Sequence, residues 1–179
     1  LLLDALKSFG FKNVGSVIPS RFVDGYGLTN DAIDEIAKNG AQLIVTVDCG
    51  SLSEKEIIHA KECGIDVIVT DHHNAADVQP PAIAVVNPKR QDNKYPFTDL
   101  AGVGVAFKLV QALQTKLKGL PKGHEKWLLD LVSLGTVCDV VNLIDENRIY
   151  VYWGLRVMSR MRRIGIKSLI KVAEIKKKK

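Results

Sequence analysis

Two apolar runs nearly repeat each other 24 residues apart: Leu43-Ile44-Val45-Thr46-Val47-Asp48-Cys49-Gly50 and Val67-Ile68-Val69-Thr70-Asp71-His72-His73. Between them Ser53 and Glu56 form a capping-box signature for a helix, which Gly64 closes. A strand, a helix and a second strand in so short a span predict two parallel neighbours joined by a right-handed crossover. Both runs are continuous in Val, Ile and Leu rather than alternating, the pattern of strands buried on both faces of a sheet. Each stops abruptly in residues able to bind a metal. A shift of 24 lays Thr46 on Thr70, Asp48 on His72 and Cys49 on His73. Adjacent strands lie about 4.8 Å apart, so Asp48 and His72 could share one ion.

The rest of the chain extends this α/β pattern. Leu1–Phe9 reads as an amphipathic helix closed by Gly10, and Val14–Ile18 as a short strand ended by Pro19. Thr29 or Asn30 caps a helix with Ile33, Ile36 and Ala37 on one face, ended by Gly40. Ile83–Val86 adds a third strand, and the polar stretch from Asn87 to Asp99 is a loop. A helix then starts near Gly102 to Val105, with Val103, Phe107, Val110, Leu113 and Leu117 at helical spacing. Another follows with Trp127, Leu131, Leu134 and Cys138 as its buried face and Asp139 at its end, and Glu146–Met161 is a further long helix. The fold class is therefore a parallel sheet flanked by helices, followed by a mainly helical part. Residues 1–145 form the first domain, and 146–179 begin a connecting helical region.

Composition narrows the class. At 179 residues and 46% apolar, the chain can bury one ordinary core. No run is long and apolar enough for a membrane span. The start lacks an initiator Met and the features of a signal peptide, as expected of a piece that begins inside a helix. Three cysteines without a CxxC pair suit a reduced, cytosolic protein. The net charge of +5 lies in the tail: residues 160–179 hold nine Lys/Arg and one acid, leaving 16 bases and 19 acids, a net of −3, in the first 159. The terminal lysines, Lys176 to Lys179, are either a solvated end or a phosphate-binding run.

Ligands of open α/β sheets bind beyond the carboxyl ends of the strands, where Asp48, Asp71, His72 and His73 fall. An aspartate after a strand also serves as a cap or turn residue, but two imidazoles at a sheet rim have no packing role there. Carboxylate with imidazole suits Mn²⁺, Mg²⁺ or Zn²⁺, and mixed ligation of this kind serves two-metal phosphoester hydrolysis. Cys49 and Cys138 read as small packing residues, His59 as a surface histidine and His124 as a loop residue. Tyr150, Tyr152 and Trp153 either stack bases or pack within their helix.

Val47-Asp48-Cys49-Gly50, Thr70-Asp71-His72-His73 and Gly135-Thr136-Val137-Cys138-Asp139-Val140-Val141 resemble the second, third and fourth motifs of the DHH phosphoesterase family. Ile18-Pro19-Ser20-Arg21, Asp24-Gly25-Tyr26-Gly27-Leu28, Val86-Asn87-Pro88-Lys89-Arg90 and Leu100-Ala101-Gly102-Val103-Gly104-Val105-Ala106-Phe107-Lys108 are similar to its RecJ branch, the single-strand-specific 5′→3′ DNA exonucleases. The resemblance implies two Mn²⁺ or Mg²⁺ ions bridged by Asp48, with His72 and Asp139 as further metal ligands. Asp71 would be a ligand or would fix the imidazole, and His73 would contact the scissile phosphate or support the site. Arg21 would contact a DNA phosphate, or be a surface arginine in a turn. Gly102 and Gly104 would let backbone amides approach a phosphate, or permit tight packing. The family's first motif, an Asp-x-Asp on a first strand, would precede Leu1, so this chain would hold only part of the site and show little activity alone.

The implied substrate is single-stranded DNA, in repair and recombination, with a helicase or single-strand-binding protein as partner. Two other readings stay open: a phosphodiesterase for oligonucleotides or cyclic dinucleotides, and a metal-free scaffold. The presence of Asp48, His72 and Asp139 speaks against the scaffold.

Overall fold

The computed structural model describes residues 1–20, 22 and 25–175. Arg21 and the lysines 176–179 lie outside them. Three parallel strands, β1 (Leu43–Val47), β2 (Asp66–Thr70) and β3 (Ala84–Val86), lie in the order β1-β2-β3. Helix α1 (Leu2–Ser8) and helix α2 (Asn30–Lys38) precede the sheet, and helix α3 (Glu54–Glu62) crosses from β1 to β2. The helices α4 (Gly102–Gln114), α5 (Leu129–Cys138), α6 (Asp145–Met158) and α7 (Ile164–Val172) follow, with a 3-10 turn at His124–Leu128 leading into α5.

Two apolar clusters hold these elements. In the sheet half, Ile33 of α2 and Ile57 and Ala60 of α3 meet Ile44, Val67 and Val69 on one sheet face. Each large aliphatic so buried contributes about 1.5–3 kcal/mol. Thr29 caps α2 as its sequence asks, its hydroxyl accepting from the Ala32 amide at 3.3 Å. In the helical half, Phe107 and Val110 of α4 pack with Leu128, Leu129, Val132 and Tyr150. Helix α4 also touches β1 and β2 and so forms the seam between the halves.

Several sequence expectations are corrected. Val14–Ile18 forms no strand. A strand requires a ladder partner, and Val17 and Ile18 stand exposed instead. The register of β1 on β2 is 23 rather than 24, with Val47 opposite Thr70. β1 is buried on one face only: Ile44 and Thr46 are covered, while Leu43 and Val47 are exposed. Ser53 occupies the N-cap of α3 without a side-chain bond. Its own amide donates to Gly50 O at 3.1 Å, so the capping box has no free donor for Glu56 to reach.

The buried residues of α5 are Leu129, Asp130, Val132, Ser133 and Thr136, not Trp127, Leu131, Leu134 and Cys138. The segment is apolar nearly all round, so periodicity cannot choose its inner face. The choice is made by close approach to α6. A Cβ on Gly154 would lie 2.2 Å from Leu129 O and 2.4 Å from Ser133 Cβ. Trp127 is exposed, with Arg162 over its ring at 4.3 Å.

Candidate metal centre

At the end of β1 the chain turns sharply. Asp48 adopts φ 67, a left-handed conformation that side-chain-bearing residues rarely take. Its amide still donates to Thr70 O at 2.9 Å, and its carbonyl accepts from the Tyr26 hydroxyl at 2.7 Å. The Thr46 hydroxyl donates to Cys49 O at 2.7 Å, and the Thr70 hydroxyl to Thr46 O at 2.6 Å. Gly50, at φ 110, leaves room that a Cβ would fill 2.9 Å from Thr46 Oγ1. The twist at Asp48, rather than equal register, brings its side chain to His72.

His72 Nε2 lies 3.0 Å from Asp48 Oδ1 and 3.3 Å from Asp139 Oδ2. Asp139 reaches this point from the C-cap of α5, where its amide donates to Gly135 O. Each of the three atoms is buried, yet none has a well-directed hydrogen-bond partner, and Asp48, His72 and His73 offer ligand atoms within 4.8 Å of one another. A buried imidazole nitrogen flanked by two carboxylate oxygens, all unsatisfied, suits a cation, and the donor set fits a divalent metal such as Mn²⁺. The Asp48 carboxylate raises the His72 pKa; burial opposes this, and Asp139 adds to it. The site thus draws positive charge to the imidazole.

Gly102 serves this geometry directly. A Cβ there would lie 2.1 Å from Asp48 Oδ1, so only glycine lets the first residue of α4 rest against that carboxylate. The helix N-terminus then faces a negative group, a favourable arrangement.

Asp71 is a buried hub next to His72 in the chain. Its Oδ2 accepts from the Ser51 amide at 3.0 Å, and its Oδ1 from the His72 amide at 2.7 Å and the His73 amide at 3.2 Å. His73 Nδ1 lies 2.7 Å from Oδ1. Burial pushes the Asp71 pKa up, but the bonds from the Ser51 amide and from His73 prevail and hold it below the usual carboxylate range. The His73 ring is half-exposed, 4.5 Å from that of His72, with Tyr26 against its edge.

Sequence reading missed three supports: Tyr26, Ser51 and Asn87. The Asn87 amide donates to Ser51 Oγ at 2.8 Å and to His73 O at 2.9 Å, and its Oδ1 accepts from the Lys89 amide. Its place just past β3 puts it at the carboxyl edge of the sheet, a signal the sequence did carry. Gly104 sits elsewhere: it is buried against Leu100 and Tyr150, and its amide donates to Ala101 O at 2.8 Å. It therefore has no amide to offer a phosphate. Cys49 is half-buried, and burial followed by the charges of Asp71 and Asp48 pushes its thiol up to about 11. It remains a protonated packing residue at neutral pH.

A model described as the DHH family, N-terminal domain, matches residues 1–136. The chain belongs to the DHH family. Among DHH relatives, the single-stranded-DNA-specific exonuclease RecJ of Escherichia coli (strain K12) is 46% identical over 180 residues, 94% of this chain and 31% of that protein. RecJ of Bacillus subtilis (strain 168) is 47% identical over 156 residues, 87% of this chain and 19% of that one. The chain spans less than a third of these curated relatives. The crystal structure of exonuclease RecJ bound to manganese matches with a TM-score of 0.80 at 34% identity, over 96% of this chain and 42% of that one. The crystal structure of RecJ from Thermus thermophilus in complex with Mn²⁺ gives 0.76 at 31% identity, over 96% and 24%.

Proposed function

We propose that this chain carries part of the metal-binding core of a 5′→3′ exonuclease that hydrolyses phosphodiester bonds in single-stranded DNA. The observation that supports it is the approach of both the Asp48 and Asp139 carboxylates to His72 Nε2, all three atoms buried and unsatisfied, in a DHH domain resembling proteins named as single-stranded-DNA-specific exonucleases. Asp48, His72 and Asp139 would hold a divalent cation, Mn²⁺ or Mg²⁺, and Asp48 would also serve a second. Bound metal supplies Lewis acidity and an activated water for in-line attack at phosphorus. Asp71 orients His73, whose exposed ring meets a phosphate oxygen of the substrate. Residues 1–145 make up the DHH domain, and 146–179 begin a connecting helical region whose first helix packs back on α5. The activity serves DNA repair and recombination in the cytoplasm, beside a helicase or single-strand-binding protein.

Two measurements test the reading. Calorimetric titration with Mn²⁺ should show binding to this chain that His72→Ala abolishes and Gly102→Ala weakens by about 10-fold or more, because the added Cβ displaces the Asp48 carboxylate. A longer protein that joins an Asp-x-Asp segment ahead of Leu1 should release nucleotides from 5′ ends of single strands only with metal. Equal activity on duplex DNA, or activity unchanged by His72→Ala, would sink the proposal.

A further inference from the structure

A second cluster of metal-binding atoms lies on the outer helices. His59 and Cys63 are four residues apart on α3 and its C-cap, so they share one helix face. Asp34 reaches them from α2. Asp34 Oδ1 is 2.7 Å from His59 Nε2, Cys63 Sγ is 3.8 Å from that same nitrogen, and the sulfur is 4.0 Å from the same oxygen. One oxygen, one nitrogen and one sulfur thus form a closed triangle. His59 is not the plain surface histidine its charged neighbours suggest.

The cluster is separate from the centre formed by Asp48 and His72. Helix α3 leaves the carboxyl end of β1 and returns to the amino end of β2, so Cys63 stands three residues before β2 begins. The two clusters occupy opposite ends of the sheet, about 16 Å apart along a five-residue strand.

We propose that Asp34, His59 and Cys63 bind Zn²⁺, with water in the fourth position, and that the ion clasps α2 to α3. The distances carry the assignment. Tetrahedral zinc, with bonds of about 2.0–2.3 Å, sets its nitrogen and oxygen ligands about 3.3 Å apart and sulfur about 3.5 Å from each. The two sulfur edges close by about 0.5 Å or less, and the hydrogen-bonded edge opens by about 0.6 Å. Such shifts lie within side-chain rotation, because Asp34 and Cys63 are exposed. Glu62 Oε2, 3.9 Å from His59 Nδ1, needs only a small rotation to accept a hydrogen bond from Nδ1–H and fix the tautomer.

As the metal enters, the thiol proton leaves to solvent and His59 binds through Nε2 as the neutral tautomer that keeps its proton on Nδ1. Thiolate ligation selects Zn²⁺ over the hard ions that suit two carboxylates and an imidazole, so the two ends of the sheet differ in metal. An open fourth position makes the zinc exchangeable.

The test uses the reduced whole chain and Co²⁺ as a spectroscopic stand-in for zinc. We expect a thiolate-to-cobalt charge-transfer band that Zn²⁺ bleaches. It should vanish in Cys63→Ser, weaken in affinity by about 100-fold or more in His59→Ala and Asp34→Ala, and weaken by about 10-fold in Glu62→Gln. The band should persist unchanged in Cys49→Ser and Cys138→Ser. Zn²⁺ should also raise the melting temperature of the parent chain and leave that of Cys63→Ser unmoved. No band in the parent, a band surviving Cys63→Ser, or a band removed by Cys49→Ser or Cys138→Ser overturns the proposal. None of these readouts depends on nuclease activity, so failure here leaves the reading of the other centre untouched.

Discussion

The sheet half and the helical half each bury an apolar cluster, but they select their buried faces differently. In the sheet half, bulk does the selecting: Ile33, Ile57, Val67 and Val69 recur at helix and strand periods and fill the space between α2, α3 and the sheet. In the helical half, missing bulk does it: Gly154 lets α6 settle on Leu129 and Ser133, and Gly135 lets α5 settle on Val103. The difference teaches that periodicity finds side chains that fill space and overlooks the places where backbones touch. The candidate metal centre straddles the two regimes, with Asp48 and His72 from the sheet and Asp139 and Gly102 from the helices.

Gly154→Ala should break the helical half most severely. The new methyl has no room beside Leu129 O, so the chain should lose about 3 kcal/mol or more, read as a lower urea midpoint. A loss below about 1 kcal/mol would mean that α5 and α6 have slack, and the contrast between the halves would fall.

Asp71→Asn should cost less, about 1–3 kcal/mol at neutral pH, because an amide group cannot accept every bond that the carboxylate takes from Ser51, His72 and His73. The sign with pH follows from the depressed pKa. The ionised carboxylate stabilises the folded chain fully above the unfolded value of about 3.9, and that contribution fades as pH falls through the lower folded value. Urea titrations of parent and variant should therefore differ most at neutral pH and converge below about pH 4. A gap that widens in acid would show that Asp71 is folded in its protonated form.

Trp127→Ala should have the smallest effect, within about 0.5–1 kcal/mol, since the ring is exposed and its partner is Arg162. A loss of several kcal/mol in thermal unfolding would return Trp127 to the core and restore the periodic reading of α5.

Much of the architecture was legible because its signals are local. The twin runs, Thr29 at the start of α2 and the glycines at 40 and 64 each fix an element without reference to the rest of the chain. The meeting of Asp48 with His72 was legible too, although the strands pair one residue away from the spacing of the repeat. What escaped depends on distant pairing. Val14–Ile18 has strand composition but no ladder, and Ser53 has a capping sequence but an amide already bonded to Gly50. Gly102 was noticed as a glycine at a helix start, yet its cause is a carboxylate 54 positions earlier. Tyr26, Ser51 and Asn87 support the site through hydrogen bonds between loops, which no period reveals.

The left-handed backbone at Asp48 sets folding against chemistry at a single residue. Glycine would suit that conformation better, yet it would remove the carboxylate that faces His72. If Asp48 holds an ion as proposed, a descendant freed from that need would become sturdier by discarding the side chain there. Under the proposed function, an aspartate kept in that turn is a mark of use: decay of that activity would first register as a gain in robustness.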